Sequence, residues 1–219
     1  TKLWNAARYA EMNGAKPSTG DLPQPSENLN KWIMGETSKV LNEVQISFES
    51  YRFNDAANAL YAFIWGKVCD WYVELSKPLF SSSNKQVIAE TQETMGWVID
   101  QCLILLHPIM PFITEELWGS VGKRSNLLVH QNWPNYTPSD LIEPDADQEM
   151  NWVISLIENI RSARQQMHVP AGLKIPLIFQ EMSENAQETF ERNSIMIMKL
   201  ARISEVEKIN HFPKGTVAV

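Results

Sequence analysis

At 219 residues and 44% apolar, the chain can form one large domain or a domain with a small appendage, and it is too apolar for a disordered tail. No apolar run approaches the roughly 18–20 residues of a membrane span, and the N-terminus lacks the apolar stretch of a signal peptide. A net charge of −7 argues against non-specific nucleic-acid binding, which needs a broadly basic surface, but leaves room for a local basic face.

Residues 1–13 read as the end of a helix, with Leu3, Ala6, Ala7 and Ala10 at helical spacing and Lys2, Asn5 and Arg8 between them. The pattern is under way from the first residue without an N-cap, which predicts a natural protein that continues upstream. A Gly-, Pro- and Ser-containing loop follows at 14–25. Ser26 can then cap a long helix with Ile33, Val40, Leu41, Val44 and Phe48 as its apolar stripe. The next helix starts at Asn54 or Asp55, aligns Leu60, Ile64, Val68, Trp71 and Leu75, and stops at Lys77-Pro78. Ser83 and Gln86 fit a capping box for a helix that runs to His107.

A short helix from Pro111 gives way to a loop at about 119–144, and 147–168 is again an amphipathic helix. After Pro170 the character changes: 173–179 reads as a strand, 184–201 as a helix and 203–209 as a second strand. The expected fold is therefore mainly α, an antiparallel helical bundle over 1–169 followed by a small α/β subdomain over 170–219.

No constellation looks catalytic. The four histidines, His107, His130, His168 and His211, fit no HxxxH or ExxH metal spacing, and no GxGxxG, Walker loop or nucleophile elbow is present. His107 suits the negative end of a helix dipole, and the adjacent Glu115–Glu116 point apart and serve the positive end of the next. Cys69 and Cys102 read as reduced, buried core residues, as in a cytosolic protein. Trp4 reads as core rather than as a stacking platform, and Trp65, Trp71, Trp97, Trp118 and Trp152 read as core or helix-interface residues. No catalytic and no metal-binding residue is assigned.

The most informative stretch is 104–118, Ile-Leu-Leu-His-Pro-Ile-Met-Pro-Phe-Ile-Thr-Glu-Glu-Leu-Trp, where two prolines three apart stop one helix and start another. Its string His-Pro-x-Met-Pro-Phe-x-x-Glu-Glu-Leu-Trp resembles the anticodon-binding bundle of the class I aminoacyl-tRNA synthetases that charge valine, isoleucine and leucine. Four further segments narrow the resemblance to the valyl-tRNA synthetases. They are Lys2-Leu-Trp-Asn-Ala-Ala-Arg-Tyr, Arg52-Phe-Asn-Asp-Ala-Ala-Asn, Cys69-Asp-Trp-Tyr-Val-Glu-Leu-Ser-Lys-Pro, and Glu158-Asn-Ile-Arg-Ser-Ala-Arg with Val169-Pro-Ala-Gly-Leu-Lys-Ile-Pro after it. The synthetase signatures His-Ile-Gly-His and Lys-Met-Ser-Lys-Ser are missing, so this chain is not expected to activate an amino acid by itself.

The resemblance implies a portion of a larger enzyme, with catalytic and editing domains before it and a coiled-coil arm after it. That enzyme uses ATP and Mg to form valyl-adenylate and transfers valine to the terminal ribose of tRNA; the portion itself holds no cofactor. The implied partners are the tRNA(Val) anticodon stem-loop, identified by A and C at its second and third bases, and the catalytic domain of the same enzyme. A cytoplasmic monomer without membrane contact is implied as well.

RNA loops are read by stacking and by hydrogen bonds to base edges. Asn5 offers a paired donor and acceptor, Arg8 a planar cationic fork, and the two share a helical face that Lys2 extends by a turn. These three lead the tRNA-binding candidates; the alternative for Asn5 and Arg8 is polar contact between helices. Arg52 can meet phosphate or remain a solvated charge. Arg161 and Arg164 can meet phosphate or link their helix to the α/β unit. Two rival functions stand beside this one, an isoleucyl- or leucyl-type anticodon domain and a helical protein-interaction module without RNA binding, which the acidic net charge favours.

Overall fold

The computed structural model describes residues 1–209 and 215–217; His211 lies outside them. The chain divides into two compact units, Thr1–Asp147 and Gln148–Val219.

In the first unit α1 (Lys2–Met12) buries only small side chains, Ala6, Ala7 and Ala10, which lets its backbone lie close to its neighbours. The segment after it is strapped across α5 (Lys85–Leu106): a Cβ on Gly96 would sit 1.9 Å from the Lys16 carbonyl oxygen, so only glycine fits beneath the crossing. Helix α2 (Asn28–Glu49) buries Ile33, Val40, Leu41 and Val44 as the periodicity predicts. Its first residue differs from expectation. Ser26 does not cap it; the Ser26 hydroxyl and the Ser26 and Glu27 amides all donate to the Glu90 carboxylate of α5. Burial works against ionising Glu90, yet these donors and Asn30 outweigh it and hold the carboxyl below its ordinary value.

The following helix is one rod in three parts: α3 (Phe53–Tyr61), a π-helical stretch (Ala62–Tyr72) and α4 (Val73–Phe80). It continues two residues past Pro78, where a stop was expected. The π stretch changes which residues face inward. With i→i+5 bonding each turn takes an extra residue, so Ile64 and Val68 are followed into the core by Tyr72, and Trp71 is left half-buried. The Tyr72 hydroxyl donates to Asn30 Oδ1 at 2.9 Å, and Asn30 in turn donates to Thr91 Oγ1 at 3.0 Å. Short turns join α2 to this rod and the rod to α5, so consecutive helices pack as antiparallel hairpins.

Asn84, rather than Ser83, caps α5 by accepting the Gln86 amide at 2.9 Å. Central α5 buries Trp97, Val98, Ile99, Cys102, Leu103 and Leu105 among others. It ends at the expected corner, and α6 (Pro111–Ser120) starts with Pro111 in its first turn. The region expected as loop carries a 3-10 turn (Leu128–His130) and a one-turn α7 (Pro138–Leu141) closed by a Thr137/Asp140 capping box.

Helix α8 (Pro144–Gln166) runs from one unit into the other. From Gln148 it groups with β1 (Ile175–Phe179), α9 (Glu184–Ala201) and β2 (Ile203–Lys208). The strands are parallel, with Ile175 opposite Ile203 and Leu177 opposite Val206, an irregularity falling between the two pairs. The division thus falls about one helix earlier than the expected 169/170. The reason is polar: Glu149 of α8 binds Arg192 and Asn193 of α9, and Arg164 of α8 binds backbone carbonyls of the strand-bearing segment.

Among the described residues no helix is long and apolar enough to cross a membrane.

Candidate nucleic-acid interface

The alternation of α1 decides what it shows outward. Ala6, Ala7 and Ala10 face the core, so Trp4, Asn5 and Arg8 are exposed. Trp4, read from sequence as core, is 38% exposed. Among the described residues neither the Asn5 side-chain amide nor the Arg8 guanidinium has a hydrogen bond or ion pair, so the helix-to-helix contact weighed for them is not formed there. Lys2, by contrast, is committed: its ammonium pairs with Asp70 and lies 4.1 Å from the centroid of the Trp65 ring.

Trp65 was expected in the core or at a helix interface. It is 42% exposed, and its ring stacks on Tyr61 with centroids 5.4 Å apart and planes 19° from parallel. Tyr61 is 61% exposed. Sequence reading missed this pair, although it holds the signal: Tyr61 and Trp65 sit one position past the core residues Leu60 and Ile64, which turns them away from the bundle interior. At the other end of α1, Glu11 and Phe112 line one open groove, with Phe112 almost fully exposed at the proline corner. That exposure also escaped the sequence reading, which treated the corner as a structural device.

The corner is held by hydrogen bonds that no spacing rule foretells. His107 Nδ1 lies 2.8 Å from the Thr114 hydroxyl. Glu115 accepts the Leu128 amide at 2.7 Å and the Val129 amide at 3.3 Å, and so fastens the 3-10 turn rather than merely complementing a dipole. Beneath it, Asp100 and Arg124 form a buried two-pronged pair, with Arg124 3.7 Å over the Trp118 ring.

Arg52 precedes α3, is exposed, and stands 3.4 Å from Asp55, a loose pairing that leaves it accessible. It lines an open groove of about 760 Å³ whose other charges, Glu36, Lys39, Glu43, Asp55 and Lys67, nearly cancel.

In the second unit, Arg161 is exposed and donates through Nε to the Leu200 carbonyl at 3.1 Å. Arg164 is buried, and its guanidinium reaches the carbonyls of Leu173 (2.6 Å), Pro170 (3.2 Å) and Arg202 (3.5 Å). The linking role weighed for Arg164 is therefore the one its geometry serves. The structure brings Lys2, Asn5 and Arg8 together on α1, places Arg52 on a separate turn of the same unit, and puts Arg161 and Arg164 in the other unit.

Both cysteines are free thiols; Cys102 is buried as expected and Cys69 only half-buried. Burial raises both, Cys102 most, so neither is poised as a thiolate. Among the described residues no cluster of three or more His, Cys, Asp or Glu could hold a metal ion.

Comparison with known proteins gives the arrangement a context. Residues 30–179 match the family described as "Anticodon-binding domain of tRNA ligase". The whole chain aligns with the valine–tRNA ligases of Ruegeria pomeroyi at 56% identity, Cereibacter sphaeroides at 53% and Rhizobium meliloti at 41%. It spans 22%, 22% and 23% of their respective lengths. Helix α1 precedes the family match and lies within the aligned region of these relatives.

Proposed function

The chain belongs to the anticodon-binding domain family of tRNA ligases, and on that premise we propose that it is the anticodon-reading module of a valine–tRNA ligase. In this reading the outer face of α1 meets unpaired anticodon bases. Asn5 exchanges donor and acceptor with a base edge, and Arg8 supplies a flat cation that can stack or fork onto an acceptor pair. Lys2, pinned by Asp70 and Trp65, sets the end of that face, and Arg52 is the accessible candidate for a phosphate. Arg161 remains a candidate contact in the second unit; Arg164, occupied by three carbonyls, is left out.

The observation that carries the reading is the uncommitted state of Asn5 and Arg8 on a helix whose other polar end is locked in place. An amide and a guanidinium exposed side by side without partners are presented for an external one.

The whole enzyme would be a cytoplasmic monomer that charges tRNA(Val) with valine at the expense of ATP and Mg, and this module would dock against its catalytic domain. The sequence carries no phosphate-cradling loop motif, and among the described residues there is no metal cluster. The module's part is to hold the right tRNA in position, so that acceptor-end chemistry proceeds on that molecule.

The test is an NMR titration of the chain at low salt with a valine tRNA anticodon stem-loop and with one altered at the A and C identity bases. Shifts clustered on residues 1–9 that weaken on the base change are expected. A preference for an isoleucine or leucine anticodon would move the reading to those enzymes. No shift with any loop, together with binding to a protein partner, would establish the interaction-module alternative.

A further inference from the structure

The Tyr61–Trp65 pair lies outside the buried core, with Tyr61 61% exposed, and has no part in the contacts assigned to Asn5 and Arg8. Its two rings are parallel, exposed, and backed by the Lys2 ammonium over Trp65. We propose that Tyr61 is a stacking platform for an unpaired RNA base, held in position by Trp65; this rests on the anticodon-binding reading above.

Offset parallel rings present a flat face that a base can extend as a third layer, and such stacking tolerates every base. Among the described residues the ring of Tyr61 has no aromatic neighbour except Trp65. Lys2 is neutralised by Asp70, so the site offers little net charge to an isolated phosphate or an acidic peptide; its chemistry is aromatic. Lys2 also ties the pair to the start of α1, with Asn5 one turn and Arg8 two turns further along. At about 1.5 Å per helical residue, Asn5 lies roughly 5 Å along the axis from Lys2.

The experiment places 2-aminopurine, singly, at each loop position of the stem-loop and measures binding and fluorescence with the full chain and with the Tyr61→Ala, Tyr61→Phe and Asn5→Ala variants. One loop position should be quenched on binding. Y61A should release that quenching and weaken binding about tenfold. Y61F, which keeps the ring, should stay within about twofold. An abasic nucleotide at the quenched position should weaken the wild type as much as Y61A does and add nothing in the Y61A chain, a non-additivity that a merely structural loss would not produce.

Y61A binding like the wild type, or losses that simply add, would overturn the platform. If N5A still weakens binding in that case, the anticodon reading stands without it. If neither variant changes binding, or no loop binds, both fall.

Discussion

Replacing Arg124 by Met is the sharpest test of how the first unit is held together. Asp100 is 3% exposed and accepts both Arg124 Nη atoms, one at 2.9 Å; its remaining donor is the Ser18 amide at 2.8 Å. The Arg124 side chain is only 9% exposed, donates Nε to the Trp118 carbonyl at 3.3 Å and lies over that residue's ring. Methionine keeps much of the contact with Trp118 but strands a buried carboxylate on one backbone N–H. Breaking a buried pair from one side costs about 3–5 kcal/mol, and the Ser18 bond puts the expectation near the lower figure, about 3 kcal/mol at pH 7.5.

The sign of the pH dependence follows. Burial already raises the Asp100 carboxyl above its ordinary value, against opposition from Arg124 and Ser18. Removing Arg124 removes most of that opposition and raises the carboxyl further. A group raised in the folded state binds its proton there first, so the cost of its ionisation is full above the folded value. That cost fades as the pH falls toward the unfolded value, near 3.9. Urea unfolding of wild type and Arg124→Met at pH 7.5 and pH 5 should therefore show a deficit that shrinks on acidification, and adding Asp100→Asn should recover much of it at pH 7.5. A deficit below about 1 kcal/mol at pH 7.5, or one equal at both pH values, would refute the account.

Other substitutions probe the remaining joints. Tyr72→Phe leaves the Asn30 oxygen without its buried donor and should lower stability in urea by about 1–2 kcal/mol, with little change in helicity. Gly96→Ala drives a methyl into the Lys16 carbonyl; it should cost about 1–3 kcal/mol and speed hydrogen exchange at the Ser18 amide as the strap lifts. Arg164→Met removes the Leu173 carbonyl's donor and a second donor from the Pro170 and Arg202 carbonyls, which keep the Leu173 and Ile175 amides, and should destabilise the second unit by about 1–3 kcal/mol. It should leave stem-loop affinity unchanged, and a loss of RNA binding without loss of stability would contradict the linking role.

How far the sequence led depends on the distance over which each feature is determined. Helices read from local apolar spacing came out within a few residues: 184–201 coincides with α9, and the corner at 107–111 lies where two prolines require it. Features that depend on a partner far along the chain did not. Ser26 looks like a cap until Glu90, 64 residues on, takes its hydroxyl. Arg164 looks like a surface cation until the fold encloses it in carbonyls.

The π stretch is an intermediate case. Its i→i+4 run of Ile64, Val68 and Tyr72 is present in the sequence but competes with the ordinary helical alignment that selects Trp71. Trp4 was read as core rather than stacking platform and Trp65 as core or helix interface, and each exposes more than a third of its surface. For the candidate interface, α1 and its polar face were legible because helical spacing sets them. Tyr61, Trp65 and Phe112 were not, because exposure of a large aromatic is decided by what the rest of the fold fails to cover.

An acidic chain can read RNA if it spends little of its recognition on phosphate, and the charges here fit that division. Lys2, Lys39, Lys67, Lys77, Arg124 and Arg192 are each paired with a carboxylate of the same unit. Lys16, Lys85 and Lys123 of the first unit are exposed as well, but on the proposed reading only Arg8, at a base edge, and the loosely paired Arg52, at a phosphate, engage the RNA, so counterion release should be small. Even if both cations displaced counterions as phosphate contacts on a single strand do, the slope of log affinity against log salt would be about −1.4. Between 50 and 200 mM salt the stem-loop affinity should then fall by about sevenfold. A broad basic footprint of six contacts would give a slope near −4 and a loss of several hundredfold over the same range. Fluorescence titrations across that series decide between them. A slope as steep as −4 would mean that phosphate attraction dominates, and the assignment of discrimination to base edges at Asn5 and Arg8 would fail.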